Sequence, residues 1–319
     1  MLKLDEKKIR KGNPIGLPYQ GSKKKVAKKI VEIIKQNFGV DNTIYDVFGG
    51  GGAITAECLI SGLDVKYNDH CSFISSALLA VINSNREWLK TLIISREEFY
   101  KIRAKQEKTL DDELKLLVNS FGNNMRTYLY GKSFSDAKYN LAVEILAKHD
   151  VFSGYKQTEA YRDAARSSDA QQLQRMQQLE QLLRLQQLLR LQQLQQLQQL
   201  EVTNKDYRAF SGVKGAVFYL DPPYENTSAQ GYSDSKQFDH AEFYNWAVEM
   251  ARENIVLLSS YTVSDDRFVE VFRFETAQSS LSGGKDKSKF EKLFMVKGGH
   301  CESRPGRPGL AGFCQPSAF

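Results

Sequence analysis

Short apolar segments of strand length alternate with helical segments in the first part of the chain. Residues 43–47 are apolar enough for a buried strand, and four glycines at 49–52 separate them from a predicted helix at 53–61. A second strand is predicted at 63–67, followed by a helix at 73–82. Strands that alternate with helices are typical of a parallel sheet, so we predict an α/β fold.

This alternation stops after residue 85 and returns near residue 200. Residues 86–170 are mixed in charge and have apolar positions at helical spacing. Helices are predicted there near residues 95–105, 110–119 and 136–147. We interpret residues 86–170 as an inserted, mainly helical lobe.

The pattern of residues 200–297 joins them to residues 1–85 in one α/β domain. The elements predicted there are strand 216–220, helix 241–252, and strands 255–259, 268–276 and 289–296. A polar loop of Ser, Gly and Lys connects the last two strands, which predicts an antiparallel hairpin that closes the sheet.

Residues 171–200 are a low-complexity tract of leucine and glutamine, with Leu or Met at every third position from 173 to 200. A stripe of period three drifts by about 60° per triplet around an α-helix, so it does not face a single partner. We predict mostly helix, because both residue types favour it. The tract is interpreted as a spacer that arose by repeat expansion, with an oligomerisation surface as the alternative.

The C-terminal residues 298–319 have no periodicity and contain three of the seven prolines. We interpret them as a disordered tail or an extension added by cloning. The four cysteines, at 58, 71, 301 and 314, have no metal-ligand spacing, so we predict reduced thiols and no metal site.

Composition and charge narrow the class of protein. A chain of 319 residues with 41% hydrophobic and 26% charged residues is typical of a globular protein. No apolar segment approaches the roughly 20 residues that span a bilayer, so we predict a cytoplasmic protein with no membrane partner. The net charge of +6 is concentrated in residues 3–35, which carry eleven Lys or Arg and three acidic residues. Such a segment favours a polyanionic partner, with a solvated helix face as the alternative.

Two features near the N-terminus suit a nucleoside-like ligand. The glycines at 49–52 follow a strand and precede a helix, so their backbone N–H groups can approach a ligand closely. They match neither the dinucleotide fingerprint nor a phosphate loop, which disfavours phosphate cofactors. Asp69 ends the second predicted strand, where its carboxylate can accept both hydrogen bonds of a ribose diol. A cap of the next helix is the alternative role for Asp69.

The segment Asp221-Pro222-Pro223-Tyr224 follows a predicted strand and is the most specific feature of the sequence. Two prolines fix the backbone and end the strand rigidly. The Asp221 carboxylate and the Pro222 carbonyl can then act as two acceptors for one amino group, while Tyr224 offers a flat face to a base.

Four motifs in this order resemble those of the Dam-type DNA adenine methylases of bacteria and phages. They are Pro18-Tyr19-Gln20-Gly21-Ser22-Lys23, Asp46-Val47-Phe48-Gly49-Gly50-Gly51-Gly52, Asn68-Asp69 and Asp221-Pro222-Pro223-Tyr224. The resemblance covers residues 12–297 and implies a Rossmann-like methyltransferase sheet with S-adenosyl-L-methionine as the cofactor. One departure is Val47, where the family motif commonly has proline, and a strand tolerates this change.

The resemblance also implies a role for each matched residue. The implied cofactor contacts are Tyr19, Lys23, Asp46, Phe48, Gly50, Asp69, Asp206 and Asp221. Lys23 matches a residue near the carboxylate of the cofactor, Asp69 the acid that binds its ribose, and Asp206 a region that holds its adenine. The implied catalytic residues are Asp221, Pro222 and Tyr224.

Recognition of double-stranded DNA is assigned to the inserted lobe. Residues 123–132 interleave amide, basic and aromatic side chains, which suit contacts with base edges. The predicted DNA contacts are Asn124, Arg126, Tyr128 and Lys132 and, in a later loop, Lys285 and Lys287. Tyr128 and Tyr130, at spacing two, fit core positions of a small strand equally well.

These features predict a site-specific enzyme that methylates N6 of adenine in double-stranded DNA. The target base must leave the duplex to reach such a site. Cytosine-N4 methylation uses the same geometry and is the nearest alternative, and a protein side-chain amide methyltransferase and a non-catalytic DNA-binding module are two others. A restriction endonuclease is a candidate partner, while the oligomeric state and the DNA recognition sequence stay open.

Overall fold

The structure is a computed structural model that describes residues 1–19, 21–167, 178–194, 197, 199–225, 238–278 and 290–299. The chain divides into two compact units. The α/β unit takes its described residues from Met1–Pro14, Lys23–Ser75 and Leu200–Phe319, and the helical unit from Ile15–Ser22 and Ser76–Gln199. The predicted tail and the predicted loop with Lys285 and Lys287 lie outside the described residues, except for Gly298 and Gly299.

A seven-stranded sheet forms the centre of the α/β unit in the described part of the chain. Its strands are β1 (Ile44–Asp46), β2 (Val65–Asn68), β3 (Val202–Thr203), β4 (Val217–Leu220), β5 (Ile255–Ser260), β6 (Phe268–Gln278) and β7 (Phe290–Val296). The strand order is β3-β2-β1-β4-β5-β7-β6, in which the first five strands are parallel and the β6–β7 hairpin is antiparallel. The predicted α/β fold with a closing antiparallel hairpin is confirmed.

Helices cover both faces of this sheet. They are α1 (Ala27–Phe38), α2 (Ala53–Ile60), the start of α3 (Ser72–Ile82), and a later helix, α10 (His240–Met250). Side chains alternate along β4: Val217 and Tyr219 belong to the core cluster that contains α1 and α2, whereas Phe218 and Leu220 belong to the cluster that contains α10. A strand buried on both faces in this way is typical of a parallel sheet between two helical layers.

The helical unit contains the rest of α3 and six further helices in the described residues. They are α4 (Arg86–Thr91), α5 (Arg96–Ala104), α6 (Leu110–Val118), α7 (Ser135–His149), α8 (Glu159–Arg166) and α9 (Glu180–Gln192). Local signals start several of them. At α6, Thr109 Oγ1 accepts from the Asp112 N–H and the Asp112 carboxylate accepts from the Thr109 N–H, so two otherwise unpaired donors are satisfied.

Residues 180–192 of the leucine- and glutamine-rich tract form α9, which confirms the predicted helix over this part of the tract. Its leucines at 182, 185, 188 and 191 are all 0% exposed. Gln181 and Arg184 are buried as well, so the helix is enclosed on several sides and a stripe that winds around it stays buried. The interpretation of this part of the tract as a spacer is therefore wrong.

Polar contacts also tie α9 into the helical unit. Gln181 Nε2 donates to Asn119 Oδ1 at 2.6 Å and to the Ile94 carbonyl at 3.1 Å. Arg184 donates to the carbonyls of Leu117, Val118 and Ser120 at 2.8–3.2 Å, at the end of α6. The carbonyls of Leu117 and Val118 are in the last turn of α6, where the helix itself offers no N–H donors, so Arg184 supplies donors to them. Among the described residues, none of the helices has the length and apolar character needed to cross a membrane.

Candidate active site

The carboxyl ends of β1 and β4 lie side by side, because the two strands are parallel neighbours. The chain continues from β1 to β2 on one side of β1, whereas β4 lies on the other side. Parallel sheets bind ligands at such a switch point, outside the carboxyl ends of the strands. The glycines at 49–52 follow β1, and Asp221 follows β4 directly.

The glycine turn after β1 is closely packed against β2. A Cβ atom on Gly49 would lie 2.2 Å from the Tyr67 ring, so a larger residue there requires the ring or the backbone to shift. Gly50 and Gly52 have φ angles of 47° and 72°, which glycine adopts without strain. The Tyr67 hydroxyl donates to the Gly50 carbonyl at 2.8 Å and fixes the turn.

Asp69 connects this turn to the end of β2. Its Oδ2 atom accepts from the Gly50 N–H at 2.7 Å, and its Oδ1 atom accepts from the Cys71 N–H at 2.8 Å, just before α3. The carboxylate therefore serves the helix end as well as the glycine turn. Burial raises the pKa of Asp69, against these two hydrogen bonds. Each oxygen keeps a further lone pair that a ribose hydroxyl can use.

Asp46 lies beneath the same turn with one unsatisfied oxygen. Its Oδ2 atom accepts from the Thr55 hydroxyl at 2.7 Å and the Thr55 N–H at 3.2 Å, whereas the buried Oδ1 atom has no hydrogen-bond partner among the described residues. Burial raises the pKa of Asp46 to about 7, and the charges of Asp221 and Asp69 add to the effect. A buried acceptor of this kind favours a cationic or hydrogen-bond-donating ligand.

Asp221 forms a buried ion pair at the end of β4. Lys23 Nζ lies 2.8 Å from Asp221 Oδ1, and the two side chains are 11% and 15% exposed. Burial raises the pKa of Asp221 to about 6, Lys23 opposes this shift, and the charge of Glu291 adds to it. The carboxylate is therefore ionised at neutral pH but titrates close to it.

Pro223 and Glu225 are held by side chains of α10 and of the segment after β5. His240 Nε2 lies 2.9 Å from the Pro223 carbonyl, which can only accept, so this nitrogen carries the proton. The Glu225 carboxylate accepts from the Tyr244 hydroxyl at 3.0 Å and the Ser264 hydroxyl at 2.6 Å. These contacts fix Pro223 and Glu225, the two residues on either side of Tyr224.

Tyr224 is held at its hydroxyl and at its ring. The hydroxyl donates to Glu291 Oε1 on β7. The ring of Tyr261 meets the Tyr224 ring at 83°, with 4.7 Å between centroids, and Lys23 Nζ lies 4.8 Å from the Tyr224 centroid. The structure thus brings together three of the predicted site residues, Lys23, Asp221 and Tyr224.

The predicted cofactor-binding residues Phe48 and Asp206 lie beside an aromatic cluster. Phe48 is 6.2 Å from Tyr207 and 6.1 Å from Phe238 between ring centroids. The Asp206 carboxylate is engaged by Arg208, at 2.7 Å in an exposed ion pair, and accepts from the Arg208 N–H. These rings pack against one another in the core cluster that contains α10, and Asp206 already has a partner in Arg208.

The remaining predicted residues belong to the helical unit. Tyr19 lies there, so its cofactor contact stays a prediction. Arg126 and Lys132 are exposed, and Asn124 Oδ1 accepts from the N–H groups of Arg126 and Thr127 in a tight turn. Their DNA contacts stay predictions as well.

The position of Tyr128 contradicts its predicted contact with DNA. It is 2% exposed, and its hydroxyl donates to the Ile94 carbonyl at 2.9 Å. Tyr130 is 7% exposed, and its hydroxyl accepts from the Gln181 N–H at 3.2 Å. Both rings belong to the core of the helical unit, so the alternative of core positions applies, and a buried Tyr128 is not available to a duplex.

Sequence reasoning missed Glu291, which is 6% exposed and accepts from the hydroxyls of Tyr224 and Ser259. The alternation of side chains along β7 could have identified Glu291. Residues two apart on a strand point to the same face, so Glu291 faces inward like the buried Leu293, and an acidic residue at an inward position is unusual.

Comparison with known proteins identifies a family. The sequence matches the family model of the D12 class N6 adenine-specific DNA methyltransferases over residues 19–272. No curated protein sequence matches the chain. Among solved structures, the chain is similar to the rRNA methyltransferase aviRa from Streptomyces viridochromogenes, with 12% sequence identity and a TM-score of 0.36 over 90% of this chain and 88% of that one. Only the family match bears on function.

Proposed function

Since the chain belongs to the D12 class N6 adenine-specific DNA methyltransferases, an enzyme family that methylates adenine N6 in DNA, we propose that its methyl donor is S-adenosyl-L-methionine and that Asp221, Pro222 and Tyr224 hold the target adenine. The observation that carries this proposal is the buried contact of Lys23 with both Asp221 and Tyr224 at the switch point of the sheet. The family favours adenine over the cytosine and protein alternatives.

The residues after β1 and β2 fit the donor. The glycine turn brings backbone close to a ligand, and Asp69 has lone pairs left for the two ribose hydroxyls. The unsatisfied Asp46 Oδ1 suits a molecule that carries positive charge and N–H donors. When bound, S-adenosyl-L-methionine supplies a methyl group on a positively charged sulfur.

Asp221 and Pro222 act on the amino group of the base. Adenine N6 is a poor nucleophile, because its lone pair is delocalised into the ring. Two acceptors, the Asp221 carboxylate and the Pro222 carbonyl, would draw the two N6 hydrogens away from the ring plane and localise the lone pair. With a pKa of about 6, Asp221 is mostly ionised at neutral pH and can accept.

Tyr224 stabilises the extruded base. Flipping a base out of a duplex costs a few kcal/mol, and stacking on an aromatic ring returns about 1–3 kcal/mol. The ring is fixed by its hydroxyl contact with Glu291 and by the edge contact with Tyr261, so little motion is lost when a base stacks on it.

The helical unit supplies the candidates for contact with double-stranded DNA. Arg126 and Lys132 are exposed, as a side chain that contacts phosphate or a base edge must be. Loss of a phosphate contact would weaken binding at all sequences, whereas loss of a base contact would relax the choice of site. Substitution of each residue by alanine, with DNA affinity measured at two salt concentrations, separates the two roles.

The methylated product of a single reaction identifies both the methyl donor and the base that accepts the methyl group. Purified protein is incubated with methyl-labelled S-adenosyl-L-methionine and unmethylated plasmid DNA, and the nucleosides are separated after digestion. Label in N6-methyladenine is the expected result. Label in N4-methylcytosine or in protein, or no label in any product, would contradict the proposal.

A further inference from the structure

Glu291 lies on β7, outside every motif of the sequence, yet it contacts the centre of the site. We propose that Glu291 is a positioning residue for adenine methylation: it holds Tyr224 by its hydroxyl and competes with Asp221 for Lys23. This inference rests on the proposed function, because it gives Glu291 a task in the same site.

The contacts of Glu291 are those of a fixed anchor. Its side chain is 8% exposed, and one oxygen, Oε1, accepts from the Tyr224 hydroxyl and from the Ser259 hydroxyl, the latter at 2.6 Å. Ser259 lies on β5, which pairs with β7, and Tyr224 follows β4, which pairs with β5. Three neighbouring segments of the sheet therefore set where this carboxylate lies.

This anchor acts on the orientation of the Tyr224 ring. A tyrosine side chain has two rotatable bonds: the bond from the hydroxyl to a buried carboxylate restricts χ1, and the edge contact with Tyr261 limits rotation of the ring about χ2. Hydrogen bonds to an ionised acceptor are roughly twice as strong as neutral ones. Without Glu291, Tyr224 keeps its ring but loses this restraint, so a stacked base would have to be ordered together with the ring.

The second effect of Glu291 is electrostatic and acts on the ion pair between Lys23 and Asp221. Lys23 Nζ lies 2.8 Å from Asp221 Oδ1 and 3.8 Å from Glu291 Oε1, so one ammonium serves two carboxylates. The titratable groups that face this pair are Lys23, Asp221, Glu291, Tyr224, Tyr219 and Asp46. Without the charge of Glu291, Lys23 would lose one of these two carboxylates, and the adenine amino group would have to displace a stronger ion pair between Lys23 and Asp221.

The charge effect has a definite sign. The charge of Glu291 raises the pKa of Asp221, which is about 6. Removal of the Glu291 charge lowers the pKa of Asp221. The acid limb of the pH–rate profile, which is the range in which the methylation rate falls as Asp221 is protonated, must therefore move to lower pH. A role in folding alone would not move this limb.

The test uses the full chain, labelled S-adenosyl-L-methionine and unmethylated plasmid DNA in single-turnover reactions at a series of pH values. The variants are Glu291→Gln, Tyr224→Phe and the double variant, with Glu270→Gln as the matched control. Glu270 lies on the neighbouring β6 and pairs with Arg273 and Lys292, outside the site. Ser259→Ala, which removes the second donor to Glu291, is the milder variant should Glu291→Gln fail to fold.

We expect Glu291→Gln to slow methylation on the order of 10-fold at neutral pH, since a neutral amide oxygen accepts from the Tyr224 hydroxyl about half as strongly as a carboxylate and no longer shares the charge of Lys23. Its acid limb should move to lower pH, and the double variant should be slower than Tyr224→Phe but by less than the product of the two single effects, because only the Tyr224–Glu291 contact is common to both. Ser259→Ala should slow methylation by a smaller factor and leave the acid limb in place, because the charge of Glu291 stays, and Glu270→Gln should behave as the wild type.

Two results would overturn the inference while the wild type makes N6-methyladenine. One is a wild-type rate and acid limb in Glu291→Gln or, if that variant does not fold, a wild-type rate in Ser259→Ala. The other is a double variant slowed by the product of the two single effects, which would show that Glu291 does not act through Tyr224. A wild-type protein that makes no N6-methyladenine would contradict the proposed function itself.

Discussion

The ammonium of Lys23 lies 2.8 Å from Asp221 Oδ1 and 4.8 Å from the centre of the Tyr224 ring. One cation thus contacts both the carboxylate that is proposed to accept from adenine N6 and the ring that is proposed to stack on the base. The flipped base is proposed to contact the same two groups as Lys23.

Replacing Lys23 by glutamine should make methylation more sensitive to acid. Lys23 opposes the effect of burial on Asp221, so its removal raises the pKa of Asp221 above the present value of about 6. Since the ionised carboxylate is the acceptor, the acid limb of the rate should move to higher pH. A pH–rate profile measures this shift, with Lys35→Gln, which removes an ion pair with Glu32 on α1, as the control. An unmoved limb would show that Lys23 does not act on Asp221.

Replacing Asp46 by asparagine should stabilise the protein at alkaline pH. The pKa of Asp46 is raised from 3.8 to about 7 in the folded state, so ionisation opposes folding. The free energy of unfolding should fall as pH rises from about 4 to about 7 and then level off. Asp46→Asn removes its share of this fall, on the order of 1–4 kcal/mol at pH 8.

Urea unfolding of Asp46→Asn and wild type at pH 5 and pH 8 measures the difference. The variant should gain stability mainly at pH 8 and bind S-adenosyl-L-methionine less tightly, because Asp46 Oδ1 is the unsatisfied acceptor. Equal stability of the two proteins at pH 8 would contradict the raised pKa.

Adding one methyl group to Gly49 should disrupt the turn. The new Cβ atom would lie 2.2 Å from the Tyr67 ring, so ring or backbone must shift. We expect a loss of about 1–3 kcal/mol in stability and a clear loss of affinity for the methyl donor. Gly212→Ala, where the added atom meets nothing within 4 Å, should change neither. Thermal unfolding and calorimetric titration measure both quantities, and equal behaviour of the two variants would count against the site.

The leucines of α9 should behave as core residues. Leu185 is 0% exposed, so Leu185→Ala should cost about 2–5 kcal/mol of unfolding free energy. Gln193 is exposed just after the same helix, and Gln193→Ala should be nearly neutral. Denaturant unfolding compares them. Equal stability of both variants would restore the interpretation of the tract as a spacer.

The elements of the α/β unit could be predicted because local signals mark them. Apolar segments, glycines and prolines bound β1, β2 and β4, and the predicted strands differ from the observed ones by two residues or fewer at each end. Asp46, Asp69 and Asp221 could be assigned to one edge, because the carboxyl ends of parallel strands meet there. Strand β3, with two residues, gives no such signal.

The remaining features depend on tertiary packing. Glu291 meets Tyr224 only through the register of β7 against β5, which no local pattern specifies. From the sequence, Tyr128 and Tyr130 fit a DNA contact and a core position equally well. Their contacts with Gln181 of α9 in the structure place them in the core. The burial of α9 itself follows from its neighbours, because a period of three does not select one helix face.

The most direct test of the account is the single-turnover rate at which Asp221→Ala forms N6-methyladenine in plasmid DNA, with DNA and S-adenosyl-L-methionine held above saturation. Asp221 is proposed to activate the amino group itself, so the rate should fall on the order of 1000-fold, the size seen when a transition-state hydrogen-bond partner is removed. A rate within tenfold of the wild type would contradict the assignment of Asp221 as the acceptor for adenine N6.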